Sequence, residues 1–487
     1  MKKCFDAKKY LKLQKQKILE RLKLFDRLYL EFGGKLIDDQ HAARVLPGFL
    51  PDLKIRLLQE FKVEMEVILC ISARAIEQSK MRADRMISYE TEMLRLIEFL
   101  RSKDLRVSAV VITLFDGQKK AEDFARKLKD YKVETYFHTF TKGYPTDVKT
   151  IVSAEGYGVN SYIKTTQRLV VVAAPGSASG KLATSLSQLY HEAKRGVKAG
   201  YAKYETFPVW DLPLKHPVNM AYEAATADLN DKNMIDFFHL EKYGVTTVNY
   251  NRDLETFPVL KEILTKISGE SIYHSPTDMG VNVLTQCIFN YEVAETSAKA
   301  EIVRRYYRAM MDLKRGLIPQ EIPERIKLLM NELGISEMAR LVVEKAEKKR
   351  QLANNLPSAC VEVGRRYVVG RKTGYLSPIS STIINAIKQI TKIPDEVDLI
   401  APAILDPILE IKNKTSNFKE SYLKLGEVLV ALSICSTTNP IIKQALANLD
   451  KLAGAQFHST HMIADDEMIV LNNLGIEATC GTEINIC

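Results

Sequence analysis

At 487 residues, with 46% hydrophobic and 26% charged residues, the chain is long enough for two domains, and its composition excludes a disordered or fibrous protein. The formal charge of +9 does not describe a basic surface: Met1 to Leu24 carries nine Lys or Arg against Asp6 and Glu20, which leaves only +2 on the rest. No run of eighteen apolar residues offers a membrane span, and the seven cysteines are scattered without a Cys-x-x-Cys, so reduced thiols in a cytoplasmic protein are expected.

In chain order, Leu11, Ile18, Leu22 and Phe25 recur at roughly helical spacing. They predict an amphipathic helix whose lysines form a solvated face rather than a nucleic-acid or membrane contact. Lysines interrupt every apolar stretch of KKYLKLQKQKILERL, so no export signal is read there. Seven apolar runs then alternate with helical patterns: LYLEF from Leu28, MEVILCI from Met65, VSAVVITLF from Val107, VETYFH from Val133, RLVVVAA from Arg168, YAKYETF from Tyr201 and VTTVNY from Val245. This alternation predicts an α/β domain over residues 1–290, built on a mainly parallel, Rossmann-like three-layer sheet. Charged helices over 291–356 read as a connector. Residues 357–487, with ACVEV, RYVVG, AGAQFH and GIEATC, read as a smaller α/β domain.

In open α/β sheets ligands bind beyond the carboxyl ends of the strands. Gly33, Gly34 and Lys35 follow the first strand, Asp116 the third, and Glu205 and Arg252 the last two. Between them, Val170 to Tyr190 reads VVVAAPGSASGKLATSLSQLY: strand, glycine turn, helix. A Walker loop has four residues between its glycines and a hydroxyl after the lysine; here Gly176, Ser177, Ala178, Ser179, Gly180 and Lys181 leave three, and Leu182 follows. The helix start still offers free amides and a positive dipole end to an anion. Ser179 and Thr184 are the nearby substitutes for the missing hydroxyl. Magnesium is expected on Glu205, with Asp116 as a second acid.

DLPLKHPVNMAYEAATADLND supplies His216 as an acid, base or substrate contact, with Asn219 and Glu223 four apart on one helical face. Arg252 suits a bidentate anion clamp. His458, His461, Asp465 and Asp466 cluster near the end, without the HExxH spacing of zinc proteases.

YLEFGGKLIDDQHAARVLPGF from Tyr29, MRADRMISYE from Met81, the glycine turn, GVTTVNYNRDLETFPVL and GRKTGYLSPISSTIINAIK carry a resemblance along nearly the whole chain. The sequence resembles a family of uncharacterised bacterial cytoplasmic proteins with paired N- and C-terminal domains. That family has no settled activity, so the resemblance transfers no catalytic residue. Its turn usually resembles APGPGSGKMAT; Ser177 and Ala178 depart from it, whereas Gly176, Ser179, Gly180, Lys181, Ala183 and Thr184 match. Lack of the hydroxyl after the lysine is therefore a family trait.

The leading expectation is an ATP-dependent phosphotransferase or ligase acting on a small polar metabolite. In it Gly176 to Leu182 and Thr184 hold ATP or another phosphorylated ligand, and Lys181, Glu205 and His216 carry the chemistry. Gly33, Gly34, Lys35, Asn219, Glu223 and Arg252 line the substrate side. A non-catalytic binder of a phosphorylated metabolite, and a metal-dependent hydrolase on His216 or His458 with a structural glycine turn, are the alternatives. Apolar Leu341, Val342 and Val343 in the connector suggest a homo-oligomer.

Overall fold

Every residue of Met65–Ser72 and Leu169–Ala173 is buried. Their apolar runs, interrupted only by Glu66 and ended by Ser72, require cover on both faces, which an all-parallel sheet flanked by helices provides. The structure is a computed structural model and describes residues 2–82, 87–270, 272–415 and 422–482. Part of MRADRMISYE (83–86) and Cys487 lie outside the described residues.

Six strands form one sheet: β1 (Arg27–Phe32), β2 (Met65–Ser72), β3 (Val107–Thr113), β4 (Glu134–Phe137), β5 (Leu169–Ala173) and β6 (Ala199–Tyr204). Their order is β4-β3-β2-β5-β1-β6 and every neighbouring pair is parallel. After β2 the chain moves outward to β3, and after β5 it crosses β1 to reach β6 on the other side. The connections thus diverge between β2 and β5, the topological position where such sheets open a crevice. The glycine turn follows β5 and so sits at that crevice.

The seventh run behaves differently. Only Val248–Tyr250 (β8) is extended, and it pairs antiparallel with Asn233–Ile235 (β7), outside the large sheet. The Asn251–Ser268 helix starts directly after it, leaving three residues of strand, and DKNMID carries no alternation that discloses its partner. The N-terminal helix is present as Ala7–Leu22, but its buried stripe is Tyr10, Gln14, Ile18 and Leu22 rather than one through Leu11. Gln14 is held there by its Nε2, which donates to the Val281 carbonyl at 2.6 Å.

The core beside the crevice packs Tyr29, Ile68, Val111, Val170 and Val172 against Leu186, Leu189, Phe257 and Leu260 of the Lys181–Lys194 and Asn251–Ser268 helices. Helix Lys181–Lys194 is thereby fixed along its length, and its first turn is fixed with it.

The chain divides into two compact units. One is Lys2–Glu223 with Asn230–Glu295; the other is Thr296–Cys487 with Ala224–Leu229. The second contains β9 (Ser358–Val363), β10 (Arg366–Arg371), β11 (Gln456–Ser459) and β12 (Glu477–Cys480), in the order β10-β9-β11-β12. These are the four short runs expected there. Its core includes Ile379, Ile383, Ile387, Phe457 and Leu471. The charged helices expected between the domains are Tyr291–Lys314, Glu321–Glu332 and Leu341–Leu352. The six described cysteines are buried and unbridged. Among the described residues no helix is long and apolar enough to cross a membrane.

Candidate functional site

The glycine turn is built from close approaches that side chains would block. Gly180 caps the helix in the left-handed region, at φ 81°. A Cβ there would lie 2.7 Å from Thr113 Oγ1, whose hydroxyl donates to the Ser179 carbonyl at 2.8 Å and pins the turn to the end of β3. At Gly176 a Cβ would lie 2.5 Å from the Tyr89 ring. Ala178 also has a positive φ of 52°, so it carries the backbone shape that glycine usually supplies.

Among the described residues, no protein acceptor takes a hydrogen bond from the amides of Gly176 to Ala183; the first helical bond is Thr184 N to Gly180 O at 2.9 Å. Among the described residues no side chain makes a capping hydrogen bond to the helix. Ser179 is 4% exposed and its hydroxyl has no partner among the described residues. The Lys181 ammonium turns inward, 3.9 Å from Glu31 Oε1, with 14% of the side chain exposed. A row of unengaged donors beside a half-buried ammonium is the electrostatic complement of a phosphate.

Two members of the expected loop site stand differently. Leu182 packs its side chain against the core, which explains why a hydroxyl is missing at that position. Thr184 is fully buried and its oxygen accepts from the Cys70 thiol at 3.5 Å, so it faces the interior rather than a ligand. Burial pushes that thiol up to about 12.

Next to the turn lies a charged cluster that the sequence reading mostly overlooked. Lys203, on β6, places its ammonium 2.7 Å from Asp253 Oδ2 and 3.1 Å from Glu205 Oε2. Asp253 is in the first turn of the Asn251–Ser268 helix. On the neighbouring strand Glu31 accepts from the Tyr201 hydroxyl at 2.9 Å. Burial lowers the Lys203 pKa, but Asp253, Glu205 and Glu31 outweigh it and hold the ammonium charged well above its ordinary range. For Glu205, burial is the main cause of a rise to about 7; Lys203 opposes it, and Asp253 and Glu31 add to it. A charged residue within two positions of the carboxyl end of an apolar strand was the available signal for both Glu31 and Lys203.

Glu205 implies a measurable pH effect. Its carboxyl moves from an ordinary 4.5 to about 7 in the fold, so between those values the native state keeps a proton that the unfolded chain has lost. Its contribution to stability is therefore present below pH 4.5 and lost as pH rises to 7. Urea unfolding across this window should show a falling wild-type curve and a flatter Glu205→Gln curve; parallel curves would refute the assignment.

The glycines after β1 serve this cluster. A Cβ on Gly33 would fall 2.4 Å from Glu205 Cγ, so glycine is what lets that side chain lie across the backbone. The buried Lys54 ammonium, unnoticed in the sequence, donates to the carbonyls of Gly33 at 3.2 Å and Lys35 at 3.0 Å and pairs with Asp39 at 2.9 Å. Gly33 and Gly34 thus serve the packing of Glu205 and Lys54, and Lys35 is exposed.

Other expected residues have structural employment. Asn219 bridges the Val209 amide at 2.7 Å and carbonyl at 3.0 Å. Glu223 accepts from the Asn233 amide and side chain at 3.1 and 2.9 Å. Arg252 pairs with Asp231 at 3.3 Å with about half its side chain exposed. His216 accepts from the Val218 amide at 3.3 Å and lies 3.6 Å from Glu295. Asp116 is exposed beyond β3. Three strands separate β3 from β6, roughly 19 Å at the usual strand spacing, so Asp116 and Glu205 do not share one magnesium ion. Among the described residues no group of three His, Cys, Asp or Glu side chains is placed to hold a metal. His458 is 1% exposed, hydrogen-bonded to Thr479 at 3.0 Å, and held neutral by burial and by Arg340. A hydrolase centred on it lacks both access and ligands.

Over residues 3–334 the sequence matches the family described as domain of unknown function DUF1846, N-terminal, and over residues 338–485 its C-terminal counterpart. The chain belongs to the DUF1846 family. A UPF0371 protein of Clostridium botulinum (strain Langeland / NCTC 10281 / Type F) is 49% identical over 489 residues, spanning 98% of this chain and 97% of that protein. The UPF0371 protein of Clostridium tetani (strain Massachusetts / E88) is 49% identical over 492 residues, spanning 99% and 98%. The two halves of the DUF1846 match meet between residues 334 and 338, inside the segment read as a connector. Both the glycine turn and the carboxylate cluster fall in the N-terminal half.

Proposed function

We propose that the chain is an ATP-dependent phosphotransferase or ligase that grips phosphate on the turn from Gly176 to Ala183. The observation that supports this most is the set of unengaged amides with the Lys181 ammonium folded in beside them. Backbone donors fixed at a helix start cost no reorganisation when charge arrives, which is how phosphoryl transfer is usually assisted. Ser179 supplies one more buried hydroxyl to the same turn. Magnesium in this reading enters on the nucleotide phosphates, with water completing its shell, because the chain builds no dedicated cage for it among the described residues.

The test is thermal unfolding with ATP and magnesium. A ligand at a hundredfold excess over its Kd stabilises by about 2.7 kcal/mol, enough to read as a shift of a few degrees. Lys181→Ala should remove most of that shift while leaving the ligand-free melting point within a degree or two. Protection that survives in Lys181→Ala would reject the site. Protection by inorganic phosphate or ADP without any ADP formation from ATP would instead favour the binding-only alternative.

A further inference from the structure

The helix Phe237–Tyr243, between β7 and β8, has no buried residue. Six large apolar side chains, Met234, Ile235, Phe237, Leu240, Tyr243 and Val245, are each 40–52% exposed within this short stretch. Consecutive residues of a strand face opposite sides, so Met234 and Ile235 leave both faces of β7 bare there, and its outer edge meets no other strand among the described residues. Single apolar residues are ordinary on a surface, whereas a group exposing roughly 500 Å² marks an interaction site.

The helix is held from behind. Asp236 caps it by accepting from the His239 amide at 3.1 Å, a His239 ring nitrogen lies 2.8 Å from Ser275 Oγ, and the Phe238 and Phe257 ring centroids are 4.9 Å apart. The Tyr243 hydroxyl donates to Asp278 at 3.0 Å, which fixes its ring at the surface. All these residues belong to one compact unit. A partner docking here orders little that is not already ordered, the condition under which a small interface still binds.

We propose that this helix face is the contact between two copies of the chain, paired antiparallel about a twofold axis at Leu240. Leu240 is the middle residue of the helix, and Phe237 and Tyr243 stand three positions to either side. The axis therefore sets Leu240 against its twin and Phe237 level with the partner's Tyr243, the reciprocal pattern that a twofold contact requires. The charge also suits a second copy. From Met234 to Val245 the exposed charged residues are Glu241 and Lys242, one of each sign, so two copies do not repel. A strongly charged protein finds no complement here, and an anionic lipid surface lacks the basic rim it would need. Doubled over two copies the patch reaches about 1,000 Å², the lower end for a specific interface, so the dimer is expected to dissociate at micromolar concentration. The connector triplet expected to join subunits offers no such face, because Val342 and Val343 are buried and only Leu341 is exposed.

The experiment measures the mass of the full chain by sedimentation velocity from about 1 to 100 μM. Wild type should move from 55.1 kDa to twice that mass as concentration rises. Leu240→Lys brings two ammonium groups together on the axis; it should weaken the dimer about thirtyfold or more, as losing a central anchor does, and melt within a degree or two of wild type when dilute. Leu341→Lys should leave the association unchanged. Phe237→Glu and Tyr243→Lys should each weaken it, and an equimolar mixture of the two should restore it, since the introduced charges meet across the axis. A constant 55.1 kDa for wild type, a dimer indifferent to Leu240→Lys, or a mixture no tighter than its components overturns the proposal. Leu240-dependent binding to phosphatidylglycerol vesicles without self-association overturns it in favour of a membrane contact.

Discussion

Gly180→Ala is expected to abolish ATP protection and to lower the unfolding free energy by about 2–5 kcal/mol. Two independent costs add. A left-handed backbone charges an L-residue about 1–2 kcal/mol, and φ at this position is 81°. The new methyl also meets Thr113 Oγ1, Cβ and Cγ2 at 2.7–2.8 Å, an overpacking of a kind that costs about 1–3 kcal/mol. Thr113 cannot rotate freely out of the way because its hydroxyl holds the Ser179 carbonyl. The turn therefore moves, and the amide row with it. Urea unfolding measures the first effect and thermal shift with ATP the second. The companion Gly196→Ala, where a Cβ meets nothing within 4 Å, separates strain from crowding: its φ of 73° carries the backbone cost alone. Equal losses in the two variants would refute the crowding argument.

Lys203→Met is expected to destabilise by on the order of 3 kcal/mol at pH 8 and by less at pH 5. Removing one partner of a buried ion pair leaves uncompensated charge, which costs more than the pair is worth. Here the bereft groups are Asp253 and Glu205, 17% and 25% exposed, with Glu31 close enough to add its field. Without the ammonium the Glu205 carboxyl, already raised by burial, loses the one partner that lowers it, so acid neutralises it and removes part of the penalty. Methionine preserves length and apolar bulk. Urea unfolding of variant and wild type at the two pH values reads the difference directly; a deficit that does not change with pH would mean that the lost ammonium is not paired as described.

The strand pattern was legible because central parallel strands covered on both faces are mostly apolar, and six of the seven runs from Leu28 to Tyr250 joined one sheet, with the partly buried Glu134–Phe137 at its edge. Val248–Tyr250 escaped it because three residues cannot show a period. The glycine turn was legible since glycine and lysine at a strand-to-helix junction have few other uses. The carboxylate cluster was not. Glu31, Lys203 and Asp253 come from separate elements, and each taken singly reads as a polar residue near a strand or helix end; only the order of β1 beside β6 brings the first two together. Asn219 and Glu223 illustrate the opposite error. Their spacing on one helix face was read correctly, but their polar ends close backbone groups of Val209 and Asn233 that sequence cannot reveal as needing partners.

The placement of β5 has a further consequence for how the protein forms. Leu169 lies opposite both Leu28 and Met65, so this strand slots between two segments made far earlier in synthesis. Until it arrives, β1 and β2 each present an open edge to one another across an empty lane, and pairings this distant in sequence close slowly. The ribosome thus releases the glycine turn at the moment the central gap is filled, and chains halted before residue 169 expose adhesive strand edges that invite association between copies.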